Sequence, residues 1–220
     1  MKKIFLSVVI LSLANSLLAQ NIYTQKLSDI ASINLPGKPG YVDTLHQLVF
    51  NYTGDSAVYT VIVSDISSDV SFKVNPGKLH IAYDGYIDGI LKVTKDTLLN
   101  KKRIKIDSLE GLQAEFISTG NPDMQDKRFM RLLFVNDKIY NYSFWVSSSL
   151  ASQTYQAREA FFNSFTITAN KKDLRQYTTT SDYQTGYRIG QEIRYYTMRA
   201  AIIIGIIALI TYFIGKKRRG

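Results

Sequence analysis

The chain has no cysteine, only two histidines, four prolines and a single tryptophan in 220 residues. Without cysteine there can be no disulfide framework, no thiol nucleophile, no thiolate zinc site and no lipid-modified cysteine near the N-terminus. Stability must come from a hydrophobic core, which a domain of about 150 residues can supply. The two imidazoles, His46 and His80, form no His-x-x-x-His pair. Joining either to Asp43 or Asp84 gives only a fragment of a ligand set, so no metal site is assigned. Gly-x-Ser-x-Gly, a Walker loop and a dinucleotide fingerprint are likewise missing. The Ser-rich stretches "SSDVS" and "VSSSLAS" fit loops, and Asp84 and Asp88, one helical turn apart, fit a solvated face. No catalytic residue and no cofactor are expected.

A basic domain is also missing, although the net charge is +9. Residues 21–170 hold 15 Lys+Arg and 15 Asp+Glu. The excess lies at Lys2 and Lys3, in a surplus of three over residues 171–199, and at Lys216, Lys217, Arg218 and Arg219. A nucleic-acid binder carries its basic stripe on the folded domain. Here the positive charge borders apolar segments, which is the pattern of membrane topology, and no nucleic-acid partner is expected.

Long apolar runs occur only at the ends. "MKKIFLSVVILSLANSLLAQ" has a charged start, an apolar stretch from Ile4 to Leu13 and a small-residue cleavage zone after Ala19, the three parts of a secretory signal. At the other end, Ala200 to Ile214 is a run of fifteen uncharged residues. It rises about 22 Å as a helix, short of the ~30 Å hydrocarbon layer. Thr197 and Met198 extend it, Tyr195 and Tyr196 suit the headgroup interface, and Arg199 can snorkel outward. The basic cluster after the run is a stop-transfer signal, so the bilayer is an expected partner, with one pass and the N-terminal domain outside. A C-terminal sorting tag that is cut away is the rival reading; the one sortase-like string, "LPGKPG" at Leu35 to Gly40, lies far from this tail and lacks the usual Thr-Gly. The expected organisation is a signal peptide (1–19), an extracytoplasmic α+β domain (20–170), a polar tether (171–197), a transmembrane helix (198–215) and a basic cytoplasmic tail (216–220). A flexible tether of that length spans roughly 26–31 Å r.m.s..

Between the ends, strand patterns alternate with two helix-sized segments. A short strand opens "SINLPGKPGYVDT" and breaks at Pro36-Gly37 and Pro39-Gly40. Leu48 to Tyr52 and Ala57 to Ser64 flank a turn at Thr53-Gly54-Asp55. Leu79, Ala82, Tyr83, Tyr86, Ile87, Ile90 and Leu91 recur at helical spacing, weakened by Gly85 and Gly89. After a turn at Glu110-Gly111 come strands at Gln113 to Ser118, Arg128 to Val135 and Ile139 to Ser147, the last two joined by Asn136-Asp137. A helix from about Ser152 to Asn163 and a closing strand or tail at Phe165 to Thr168 complete an antiparallel sheet with helices packed on it, an α+β class.

"SINLPGKP", "EGLQAEF", "NDKIYNYSFWV" and "AREAFFNSFTI" together resemble the PsbP-like superfamily, named for the extrinsic protein of the photosynthetic oxygen-evolving complex. The resemblance spans about Ala31 to Thr168 and rests mostly on packing and turn residues. It implies an α-β-α sandwich, often exported, and no enzyme activity. Some members bind divalent cations, but no residue here matches such a site. The expected function is therefore a non-enzymatic, membrane-anchored domain that binds or stabilises other envelope proteins. The alternative is a sensor for a small ligand or divalent cation, with a pocket between sheet and helix formed by Tyr83, Tyr86 and Trp145.

Overall fold

A computed structural model describes residues 22–44, 47–66, 77–118 and 125–176. The signal segment, His46, the remainder of the tether after Gln176 and the apolar C-terminal run with Arg199 to Arg219 lie outside these residues. Among the described residues no helix is long and apolar enough to cross a membrane.

The chain forms β1 (Tyr23–Lys26), β2 (Ala31–Leu35), β3 (Gly40–Thr44), β4 (Gln47–Thr53), β5 (Ala57–Asp65), α1 (Leu79–Thr94) and β6 (Thr97–Ile106). It continues with β7 (Leu109–Ile117), β8 (Lys127–Val135), β9 (Lys138–Val146), α2 (Tyr155–Asn163) and β10 (Thr166–Ile167). Seven strands make one antiparallel sheet in the order β3-β4-β5-β9-β8-β7-β6. The other three pair as β1-β2-β10. Among the described residues the class is α+β, with antiparallel sheets and two α-helices.

Both faces of the large sheet are covered, which accounts for the near-continuous apolar runs in β8 and β9. One face carries Tyr59, Val61, Tyr140, Tyr142 and Phe144 and packs against Ile33 and Leu35 of β2 and Phe161, Phe162 and Phe165 around α2. The other carries Ile62, Leu112, Phe116, Met130 and Leu132 and packs against Leu79, Tyr83, Tyr86, Ile87 and Ile90 of α1. Each such side chain stabilises the fold by about 1.5–3 kcal/mol when fully buried.

Turns follow local chemistry. Asn136 (φ 48°) and Asp137 (φ 58°) take the left-handed conformation that a two-residue hairpin needs, as their residue types foretell. Two glycines of the motifs quoted above are required by close approach. A Cβ on Gly111 would meet the Ile106 side chain at 2.9 Å and the Leu132 carbonyl at 3.1 Å; one on Gly37 would strike the Tyr52 ring at 2.5 Å.

Several elements differ from the sequence reading, which placed no strand at β1 or β3. β6 was not foreseen, because TLLNKKRIKI has charges where a half-buried strand would alternate. Its turn to β7 falls at Asp107, with φ 55°, and Glu110-Gly111 lies inside β7 instead of marking the turn. The second helix starts at Tyr155, because Ser148–Leu150 form a separate 3₁₀ turn. There Asp126 accepts hydrogen bonds from the Ser148 amide and hydroxyl, both at 2.6 Å.

Candidate functional site

The sequence points to Tyr83, Tyr86 and Trp145, and all three do lie on the α1 side of the sheet. They are spread along that interface and do not converge on one space. Tyr83 sits at one end, where its hydroxyl donates to the Glu110 carbonyl at 2.8 Å and accepts from the Phe134 amide at 3.0 Å. Tyr86 lies further along and accepts from Asn141 Nδ2 at 2.9 Å, and Asn141 Oδ1 in turn accepts from the Ser143 hydroxyl at 2.9 Å. Burial pushes both tyrosine hydroxyls well above their ordinary pKa, with the hydrogen bonds from Phe134 and Asn141 pulling the other way. Both hydroxyls are used inside the fold, and neither tyrosine is exposed.

Trp145 belongs to a row that crosses five strands: Val58, Trp145, Arg128, Phe116 and Leu98. The Arg128 guanidinium lies over the Phe116 ring at 4.3 Å and the Trp145 ring at 4.7 Å. Its ion-pair partner is Asp96, 3.2 Å away, in the connection from α1 to β6, and both side chains are buried. Nε and Nη2 are buried and have no hydrogen-bond partner, so the pairing with Asp96 is one of charge. Burial draws the Arg128 pKa down and the Asp96 carboxylate raises it again. No motif flagged this pair, although an arginine inside the apolar string FMRLLFV's approach, at "KRFM", is the one signal that would have drawn attention to it.

A groove of about 320 Å³ opens at one end of the sheet, on the aromatic face. Asp29, Asp43, Asp65, Lys138 and Ser28 line it. Asp65 pairs with Lys138, and Ser28 with the Tyr140 hydroxyl at 2.8 Å. The Lys26 ammonium, hydrogen-bonded to Asp29, holds that carboxyl below the usual range. Among the described residues no three His, Cys, Asp or Glu side chains are grouped to hold a metal ion. His80 lies half-buried on α1, away from this groove's lining.

The chain after β10 docks on the domain. Asn136 and Arg175 exchange hydrogen bonds, Asn136 amide to Arg175 carbonyl at 2.9 Å and Arg175 amide to Asn136 Oδ1 at 2.7 Å. Leu174 packs against the aromatic core. Gln176, only 7% exposed, places its side-chain amide between β7 and β8: Oε1 accepts from the Glu110 amide, and Nε2 donates to the carbonyls of Glu110 and Phe134. The ladder between β7 and β8 has its last paired residues at Gly111 and Leu133. Gln176 and the Tyr83 hydroxyl take the place of backbone pairing just beyond it. Residues 171–176, counted with the tether in the sequence reading, thus form a strap across the end of the sheet.

With this geometry in hand the comparisons are informative about the fold. Cyanobacterial PsbP (CyanoP) from Synechocystis sp. PCC 6803 matches with a TM-score of 0.51 at 15% identity, over 66% of this chain and 92% of that one. The fold is PsbP-like. A Pseudomonas aeruginosa protein of unknown function overlaps at a TM-score of 0.36 and 10% identity, over 64% of this chain and 94% of that one, too remote to inform the reading. No protein-family model and no curated protein matches the chain. In this PsbP-like domain the quoted motifs mark its seams: Gly37 against Tyr52, Gly111 between Ile106 and Leu132, and Phe161, Phe162 and Phe165 over Tyr142.

Proposed function

We propose that the chain is a membrane-anchored extracytoplasmic PsbP-like domain that binds or stabilises other envelope proteins and performs no catalysis itself. The strap is the observation that supports this reading best. It ties the chain firmly to the domain just before the polar segment and the apolar run, as suits a domain whose task depends on where it is held. The buried polar groups on the α1 side add support, since Tyr83, Tyr86, Asn141 and Ser143 are engaged with one another or with backbone.

Protease added outside intact spheroplasts is expected to digest the domain, and protection would overturn the outside placement. Deleting residues 200–220 is expected to release it as a soluble protein, and continued membrane retention would count against the anchor. Single cysteines placed on the domain surface are expected to crosslink, in cells, to a small set of membrane proteins. A second reading, a sensor for a small cationic ligand, has one observation in its favour: the groove lined by Asp29, Asp43 and Asp65. Saturable binding of a small amine or divalent cation, lost in Asp43→Asn, would favour it over the first.

A further inference from the structure

The domain's charge is balanced in sum and uneven in place. From Lys92 to Lys105 there are six basic residues and one acidic one, Asp96, which is buried against Arg128. Four of the six, Lys101, Lys102, Arg103 and Lys105, stand exposed on β6, the outermost strand of the large sheet. Lys101 is paired with Asp84 at 2.6 Å; Lys102, Arg103 and Lys105 have no ion-pair partner among the described residues. Lysines on an edge strand deter pairing with another strand, and that alone would account for a few of them.

It does not account for where the chain leaves the domain. The strap crosses the end of the sheet from the β8–β9 turn at Asn136 to Glu110 at the start of β7, moving toward β6. Glu110 is the cross-strand partner of Lys105. The strap begins on the aromatic face, at Leu174, and ends on the α1 side, where Gln176 and Tyr83 share the Glu110 carbonyl. Arg103, opposite Leu112, lies on that same α1 side. Lys171 and Lys172 add two exposed cations on the strap, where Asp173 is an exposed anion and Arg175 pairs with Asp137 at 3.8 Å. The exit point thus lies beside Lys105, at a corner that also carries the exposed Asp107 and Glu110. Lys102 and Arg103 continue the basic edge along β6, while Asp29, Asp43 and Asp65 sit toward the other edge of the sheet.

We infer that the β6 edge is a docking surface for anionic lipid headgroups, on which the domain lies with β6 toward the bilayer and the β3 side turned away. The inference rests on the membrane-anchor reading and adds an orientation to it. A Lys or Arg brought to an anionic surface strengthens association about fivefold, so Lys102, Arg103 and Lys105 together favour this orientation by about a hundredfold. The attraction is short-ranged, falling off within about 8 Å at physiological salt, which restricts it to side chains on the apposed edge.

The test uses the full chain in lipid nanodiscs. Because the protein has no cysteine, one fluorophore can be placed without background at Leu99→Cys on β6, or at Ser56→Cys on the β4–β5 turn at the far corner. Headgroup-nitroxide lipid then reports proximity by quenching. In discs containing phosphatidylglycerol the Leu99→Cys label is expected to be quenched several-fold more than the Ser56→Cys label. That difference should vanish in phosphatidylcholine discs, in molar salt, and in K102E/R103E/K105E. Equal quenching at both positions, with the chain still on the discs, overturns the orientation and leaves the anchor intact. Loss of the chain from the discs overturns both. Shielding of the β6 label by added polyglutamate, with none by phosphatidylglycerol, would assign the edge to an acidic polypeptide and also overturn the inference.

Discussion

The two faces of the large sheet solve the same burial problem by different means. On the α2 side a cluster of rings packs together with aliphatic side chains such as Ile33, Leu35 and Val61. Tyr59 meets Phe144 and Phe161 edge-on at 5.1 and 5.2 Å, and Tyr142 stacks on Phe165 at 4.9 Å. On the α1 side aliphatic packing is threaded by polar links, Tyr83 to Glu110 and Phe134, Tyr86 to Asn141, and Arg128 to Asp96. Ring pairs prefer edge-on or offset geometry, but that preference adds only about 0.5–1.5 kcal/mol to the burial itself, so small shifts cost little. A buried hydrogen bond or ion pair is intolerant of losing one partner, because the other is left desolvated. The first face is limited by volume and the second by polar satisfaction.

That contrast can be broken by mutation, and the largest effect is expected on the ring face. Phe161→Ala should destabilise by about 4 kcal/mol in denaturant titration, while Phe161→Leu should recover most of it. A small effect of the alanine variant would mean that the ring face is loosely packed. Next comes Asp96→Ala, which strands the Arg128 charge and should lose about 3 kcal/mol, whereas Asp96→Leu with Arg128→Met should be close to neutral. Equal loss in the double variant would remove the distinction between the faces. Tyr86→Phe should lose about 1.5 kcal/mol by leaving Asn141 Nδ2 unpaired, with no change in volume to blame.

Part of this was legible in the sequence. The α+β class, the hairpin at Asn136-Asp137 and the α1 stripe follow from turn chemistry and periodicity, which are local. The PsbP-like fold was legible through glycines and phenylalanines whose close contacts the structure explains. β6 was hidden because an edge strand needs no alternation, and Lys101, Lys102 and Arg103 suppress the pattern on which strand recognition depends. The balanced count of charges over the domain similarly concealed their segregation along one edge. Tyr83, Tyr86 and Trp145 were legible as residues of the helix–sheet interface. That the two tyrosine hydroxyls would be consumed by Glu110, Phe134 and Asn141 depends on sheet register, and no local pattern carries it.

The smaller expected effects concern pH. The buried Tyr83 and Tyr86 hydroxyls have raised pKa values, so their stabilising contribution is complete below about pH 10, where an unfolded tyrosine begins to ionise, and is lost as pH rises further. Unfolding monitored by circular dichroism should therefore steepen above about pH 10, less so in Tyr86→Phe. Asp126 is shifted the other way by its hydrogen bonds from Ser148. Its contribution is present above about pH 4 and is lost as pH falls through the depressed value, so Asp126→Asn should flatten the acid limb slightly.

Gln176 has a mechanical consequence. Tension applied from the C-terminal side reaches the domain first through the three hydrogen bonds of that side-chain amide, and next through the Arg175–Asn136 pair. These bonds anchor the pull on the ends of β7 and β8, and only after they yield does load pass along the backbone toward β10. The strap works as strain relief: a pull transmitted along the chain is met first by a few side-chain bonds, ahead of the Leu174 contact with the aromatic core.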